Sequence, residues 1–430
     1  MQLGEKRAAR SQIEFSDTAW DHSGDIELHA TKRSKFLIIF LTVFVHLIGF
    51  GIVIPVLPLY AKEFGASPLT VGWLLASYSI FQCLCAPLLG RLSDRIGRRP
   101  VMIFCMAGTI LGFLLMGLAD VLWLVFLGRI IDGITGGNIS TAQAYIADIT
   151  EPEERSKGMG IIGAAFGLGF IFGPAIGGML SHISMAAPLL FAAGLALVNT
   201  IALAFFLPES LPAEQRQTTR QDMSLREVFA GAQARILRLL LAAYFLETVA
   251  FAMLTTTYPL FPERAFGYGV KENGYLFASI GVLGAIIQGG LLGRLVKRWG
   301  EKALIVIGAI FSIGGFVMLP LGTTTQLLWT ATAAIGVGHG LMTAPLNGLA
   351  SRNAAPALQG RVLGLMASAA SLGRIVGPIL GGGLLLVGAL PEENQYGQAA
   401  YFTSAGLVVV TVILIGLFRG TTPKEVIRHR

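Results

Sequence analysis

Charge is spread so thinly along this chain that it dictates the solvent. Uncharged runs cover residues 36–61, 64–90, 100–119, 158–208, 273–293, 303–351 and 394–418. A helix crosses ~30 Å of hydrocarbon with about 20 apolar residues, so 158–208 and 303–351 each hold two crossings and these runs give nine. Three more come from apolar stretches that carry one or two charges: 121–147 with Arg129 and Asp132, 237–261 with Glu247, and 360–387 with Arg361 at its edge and Arg374 inside. Twelve transmembrane helices are expected. Only 13% of the 430 residues are charged, against about 25% in an ordinary soluble domain, which excludes a free cytosolic protein.

Lysine and arginine set the orientation. With both termini placed in the cytoplasm, 27 of the 32 Lys and Arg residues fall on cytoplasmic segments, and the outer loops hold only Lys62, Arg264 and Lys271. The remaining two, Arg129 and Arg374, lie within spans. The net charge of +7 is thus a topology signal and no nucleic-acid footprint. Residues 1–35 are polar and mixed in charge, so they read as a cytoplasmic tail and not a cleaved signal peptide. Cys83, Cys85 and Cys105 sit in apolar spans, so neither a disulfide nor a metal site is expected.

The chain divides in two. The polar stretch 208–234 separates a bundle over 36–207 from one over 235–418, and 419–430 forms a second cytoplasmic tail. Within the linker, Ser224 and Glu227 have capping-box spacing, which suggests a short surface helix near 225–233 or else a solvated loop. LGFIFGPAIGG at 168–178 aligns with LGRIVGPILGG at 372–382 at an offset of 204, and GRLSDRIGRR at 90–99 with GRLVKRWGEK at 293–302 at 203. Two matches at nearly one offset argue for pseudo-symmetric six-helix bundles around a central cavity, with a binding site near midplane between them.

Four ionisable groups within spans mark that site, because each costs about 2.5–3.5 kcal/mol if it faces lipid. Arg129 and Asp132 are i,i+3 neighbours, and at 100° per residue they share an arc of roughly 80° with Gly136, Ser140 and Gln143. This stripe either lines the cavity or is an ion pair that fixes helix rotation. Tyr244, Glu247, Phe251, Leu254 and Tyr258 share a face of the seventh span, and an acid among aromatics suits an amphipathic or cationic ligand. Glu247 is the first candidate proton carrier, since a carboxyl withdrawn from water is readily neutralised. Asp132 is second because Arg129 offers it a counterion. Arg374 either binds an anionic group of the substrate or pairs with an acid across the halves. His46 and His339 are each either titrating groups or neutral hydrogen-bonded ones. Gln82, Gln288 and Asn347 are expected to bond across helices.

GRLSDRIGRRP (Gly90 to Pro100), LGRIIDGITGG (Leu127 to Gly137), GLGFIFGPAIGG (Gly167 to Gly178) and GFGIVIPVLPLY (Gly49 to Tyr60) together resemble the motifs of the major facilitator superfamily, and in particular the tetracycline-exporter branch of its drug–proton antiporters. The resemblance covers about 36–418. It implies that Gly90, Asp94, Arg95, Arg98 and Arg99 latch an outward-facing state, and that Gly173 and Pro174 serve antiport. His46 departs from the exporters, which carry an acid at the matching place. Lys297 stands where the second half would repeat Asp94, so no matching latch is expected there.

Gly158 to Gly163 fits GxGxxG but follows no strand, and neither a P-loop nor HExxH occurs; no enzymatic activity, cofactor or metal is expected. The reading is a transporter that alternates access and exports a hydrophobic or amphipathic small molecule against protons. A facilitator or symporter of a small, perhaps anionic, metabolite is the alternative, and a non-transporting membrane receptor the alternative of another class. By the family it resembles, the chain is expected to be a monomer in a bacterial cytoplasmic membrane.

Overall fold

The computed structural model describes residues 22–151, 155–211, 234–322, 324–354, 358–387 and 396–417. Most of both expected tails and the linker helix near 225–233 lie outside these residues. The described residues form no strand, and their helices are α1 (His22–Glu63), α2 (Pro68–Ile96), α3 (Arg98–Gly117), α4 (Leu122–Ile149), α5 (Arg155–Leu180), α6 (Ala187–Phe206) and α7 (Ala234–Phe266). The stretch Val270–Leu321 has 52 residues, about 78 Å at 1.5 Å per residue, too long for one crossing. It reverses at Gly300, whose φ of 78° and ψ of 163° are not helical, giving α8 (270–299) and α9 (301–321). α10 (Thr325–Arg352), α11 (Gln359–Leu384) and α12 (Gln398–Gly416) complete twelve crossings. α1 starts at His22, so the polar stretch 22–35 continues the first span as helix.

Local chemistry sets the ends. Ser67 caps α2 by accepting from Thr70 N at 3.1 Å, with Pro68 as the first helical residue. Thr324 caps α10 through Leu327 N at 3.3 Å. The turn between α2 and α3 is the single residue Gly97, with φ 110° and ψ 161°, and Gly300, 203 positions later, has nearly the same backbone. The Glu209 carboxylate caps α3 by accepting from Arg98 N at 2.8 Å and Arg99 N at 3.2 Å. A Cβ on Gly97 would lie 2.3 Å from Glu209 Oε2, so glycine is required there twice over.

α4 is broken. Its helix stops at Ile134 and restarts at Asn138, across Thr135, Gly136 and Gly137, where paired glycines let the chain leave the helical path. The surface outside the bundles is apolar: Phe205, Phe206 and Ile183 are 80%, 71% and 76% exposed, as an integral multi-pass membrane protein requires.

Small residues knit each half in the same way. In the first, Gly51 of α1 meets Gly169 and Gly173 of α5; in the second, Gly373, Gly377 and Gly381 of α11 meet Thr248, Val249, Ala252 and Met253 of α7. The Gly-Pro motif thus has the same packing role in both halves, letting backbones approach where lipid offers no hydrophobic drive.

Candidate functional site

The halves touch along two seams related by the internal repeat. On one, a Cβ added to Gly72 of α2 would lie 2.4 Å from the carbonyl oxygen of Pro378 on α11, and one on Gly382 would lie 2.2 Å from that of Pro68. On the other, Gly274 of α8 lies against the carbonyl of Pro174 on α5 at 2.5 Å, and Gly178 against that of Lys271 at 3.0 Å, by the same measure. Lys62 of α1 and Glu263 of α7 add an ion pair at this end, 2.6 Å apart. All these contacts lie on the face opposite the basic turns 91–99 and 294–302. The second seam runs inward as far as Gly281 against Phe170. Beyond that depth the helices part: among the described residues, Gly90, Gly163, Gly284, Gly293, Gly360 and Gly364 have no neighbour within 4 Å of an added Cβ. Among the described residues, the halves therefore meet on one face and leave an opening toward the basic one.

Two buried polar clusters flank the apex of this opening. In the first half, Arg129 Nη1 lies 3.6 Å from Asp132 Oδ2, and Thr109 donates to Asp132 Oδ1 at 3.0 Å. The guanidinium sits 4.5 Å above the Tyr78 ring. The Tyr78 hydroxyl accepts from Gln82 Nε2 at 2.8 Å and lies 3.4 Å from His46 Nε2, while His46 Nδ1 faces Asn138 Nδ2 at 3.4 Å. Arg129, Asp132 and His46 are 2%, 3% and 4% exposed. Among the described residues Arg129 Nε has no hydrogen-bond partner, which leaves the cluster under-satisfied.

In the second half, His339 Nδ1 of α10 meets Glu247 Oε1 of α7 at 2.5 Å, and its ring stacks on Phe251 with centroids 3.8 Å apart. The Glu247 side chain is 4% exposed and the His339 side chain 27%. Glu247 Oε2 has no hydrogen-bond partner among the described residues, and Glu247 borders a void of about 10 Å³ lined also by Ser312, Phe316 and Ile335, inside the bundle. Asn347 of α10, expected to bond across helices, instead donates from Nδ2 to the Thr343 carbonyl of its own helix at 3.0 Å.

The structure separates residues that the spacing had put together. Gly136 falls in the break of α4, so the expected polar stripe is not one continuous helical face: Arg129 and Asp132 are buried before the break, and Ser140 and Gln143 exposed after it. Tyr258 is fully buried, bonds Thr332 through its hydroxyl and packs edge-on against Phe277; with Leu254 it turns the outer part of the α7 face into bundle core. Glu247 and His339, read as separate candidates, form one pair. Arg374 is half-buried, bonds Ser371 Oγ at 3.0 Å, and lies within electrostatic reach of Tyr244, Tyr78 and Cys83.

At the basic face, Arg98 is buried and binds Asp94 at 2.6 Å, Asp148 Oδ2 at 3.0 Å and Ser93 Oγ at 2.7 Å. Arg99 bonds the Ala204 carbonyl and Arg95 is exposed. The signature loop is therefore tied into its own half in this open arrangement. Tyr78 was the residue that sequence reasoning missed, although Tyr78 and Gln82, four apart on an apolar helix, carried the signal.

Comparison with known proteins follows this geometry. The family model of the Major Facilitator Superfamily matches residues 39–378. The tetracycline resistance protein, class E, of Escherichia coli is 32% identical over 381 residues, covering 87% of this chain and 93% of that protein. Multidrug resistance protein 2 of Bacillus subtilis (strain 168) is 31% identical over 359 residues, covering 82% and 88%. Among solved structures, the human organic anion transporter MFSD10 (TETRAN) aligns with a TM-score of 0.68 at 25% identity, covering 89% of this chain and 99% of that one.

Proposed function

This chain belongs to the Major Facilitator Superfamily, and from that premise we propose that it is a proton-coupled exporter of hydrophobic or amphipathic small molecules, of the kind its tetracycline and multidrug resistance relatives are named for. The positive-inside rule assigns the basic turns to the cytoplasm, so the opening described above is an inward-facing state of a transporter in a bacterial cytoplasmic membrane. One chain supplies both halves of the pathway, and a single copy suffices.

The observation that carries the proton assignment is the Glu247–His339 pair. A carboxyl 2.5 Å from an imidazole whose side chain is 27% exposed supports this reading, because a proton bound there would change the charge of a buried contact between α7 and α10. Arg129 and Asp132, held by Thr109 and Tyr78, give the other half a fixed ion pair. Protonation of the Glu247–His339 pair and binding of substrate then bias one inward–outward equilibrium in opposite directions. Gly173-Pro174 and Gly377-Pro378 provide the seams on which that equilibrium turns.

The test is transport in proteoliposomes under an imposed pH gradient, with tetracycline and ethidium as probes. Wild type should move at least one of them against its gradient. Glu247→Gln and His339→Asn should lose gradient-driven transport by tenfold or more while keeping exchange without a gradient. Gradient-driven transport that survives Glu247→Gln would remove the proton assignment.

A further inference from the structure

We propose that Arg374 is the seat of an anionic group on the transported molecule, so that the preferred substrate is an organic anion, or a zwitterion entered by its anionic end, with an aromatic or otherwise apolar body. The inference rests on the transport reading and names its substrate class.

Three observations lead there. The first concerns charge. Among the described residues, the acids well inside the spans are engaged elsewhere: Asp132 lies against Arg129 and Thr109, and Glu247 against His339. No carboxylate of the described residues comes within 4.0 Å of the Arg374 guanidinium, and its hydrogen bond goes to the neutral Ser371 Oγ. Pairing with an acid across the halves, which the sequence allowed, is not what the described residues do. A cation at this depth without a counterion is costly, and a carboxylate, enolate or sulfonate meets the guanidinium fork with paired, charge-assisted hydrogen bonds.

The second observation is position. Arg374 is one helical turn from Pro378, whose carbonyl forms the seam with Gly72. On the same helix, Gly364 and Gly360 already face open space. The guanidinium therefore stands where the closed seam ends and the opening to the basic face begins. It is within electrostatic reach of Tyr78 and Cys83 in one half and Tyr244 in the other, so an anion there lies within the field of groups from both halves.

The third is the surroundings. Phe50 of α1 and Phe170 of α5, both part-exposed, pack 5.9 Å apart in front of the buried Tyr78, 6.0 Å from Phe50. Tyr244 forms the opposite side. This combination suits a flat apolar body bearing one negative group. A cation is served less well: the Glu247 carboxyl is 4% exposed and already committed to His339.

The experiment compares three probes of one shape on the purified full-length protein in uncharged-lipid nanodiscs: 2-naphthoate, 2-naphthamide and 2-naphthylmethylammonium, by calorimetry. Wild type should bind the carboxylate at least tenfold more tightly than the amide, with the ammonium weakest. Arg374→Gln should erase the preference while leaving amide affinity within twofold, which also reports that the variant is folded; Arg374→Lys should keep part of it. The wild-type comparison needs no variant. Equal binding of acid and amide, a preference for the ammonium, no binding of any probe, or an Arg374→Gln protein that still prefers the carboxylate would each overturn the proposal. A flux assay on the same preparation separates the two readings. Gradient-driven ethidium transport without carboxylate preference removes the anion seat and leaves the exporter. Arg374-dependent naphthoate binding with no flux of any probe does the reverse.

Discussion

Lys62, near the end of the first helix of one half, and Glu263, near the end of the first helix of the other, meet at 2.6 Å across the boundary between them. The two side chains are 52% and 33% exposed, so water screens the pair and its worth is about 0.2–1 kcal/mol. Lys62→Glu should move the closed–open balance of that face by roughly 1.4- to 5-fold, read by spin-label distances between Ala66 and Glu272. The charge swap Lys62→Glu with Glu263→Lys should restore the wild-type distribution. A double variant no closer to wild type than either single one would assign the contact to solvent-exposed coincidence.

The seams themselves should be far less tolerant. An alanine at Gly72 places its Cβ 2.4 Å from the Pro378 carbonyl oxygen, and one at Gly274 lies 2.5 Å from that of Pro174; backbone atoms at those distances must move apart. Gly72→Val and Gly274→Val should each deplete the closed population on that face, visible as longer distances between the same labels. Gly284→Val, with open space around it, should leave the distances unchanged.

Gly97 and Gly300 should separate conformational strain from steric conflict. Both occupy backbone that L-residues avoid, at a cost of order 1–3 kcal/mol. Gly300 has open space around it, whereas a side chain on Gly97 strikes the Glu209 carboxylate that caps α3. Gly97→Ala should lower the melting temperature distinctly more than Gly300→Ala, measured on detergent-purified protein.

Tyr258 should act as part of the packing. Phenylalanine at that position removes the hydroxyl bonded to Thr332, whose own oxygen still donates to Leu328 O at 2.7 Å. About 1 kcal/mol of stability should go, and substrate affinity should stay within twofold in a binding assay. A loss of affinity beyond tenfold would put Tyr258 back in the site.

Much of this was legible because lipid makes charge expensive: the runs free of Asp, Glu, Lys and Arg count nine of the twelve crossings, and the repeat at an offset of 204 relates Pro174 to Pro378. What sequence spacing could not supply was the partner of each buried group. Helical arithmetic put Tyr258 beside Glu247 on one face, but α7 is packed by α8 and α10 at the outer depth and reaches the opening only near Tyr244 and Phe251. The Arg129 stripe assumed an unbroken helix, and Gly136-Gly137 breaks it. His339 and Glu247 are 92 residues apart, on helices whose facing sides no single-helix period reveals. Lys62, one of the three cations assigned to outer loops, has Glu263 of the other half opposite it, a pairing no charge count reveals.

The twin seams have a mechanical consequence. Each is a pair of proline carbonyl and glycine flank, set at matching depth on opposite edges of the boundary, so neither edge is a soft hinge about which the other could swing. Parting one edge alone would shear the glycines of its counterpart against backbone. The lobes are therefore expected to release both edges in a single stroke, like a clasp with two equal hooks, and an obstruction at either hook is enough to keep the whole clasp from closing.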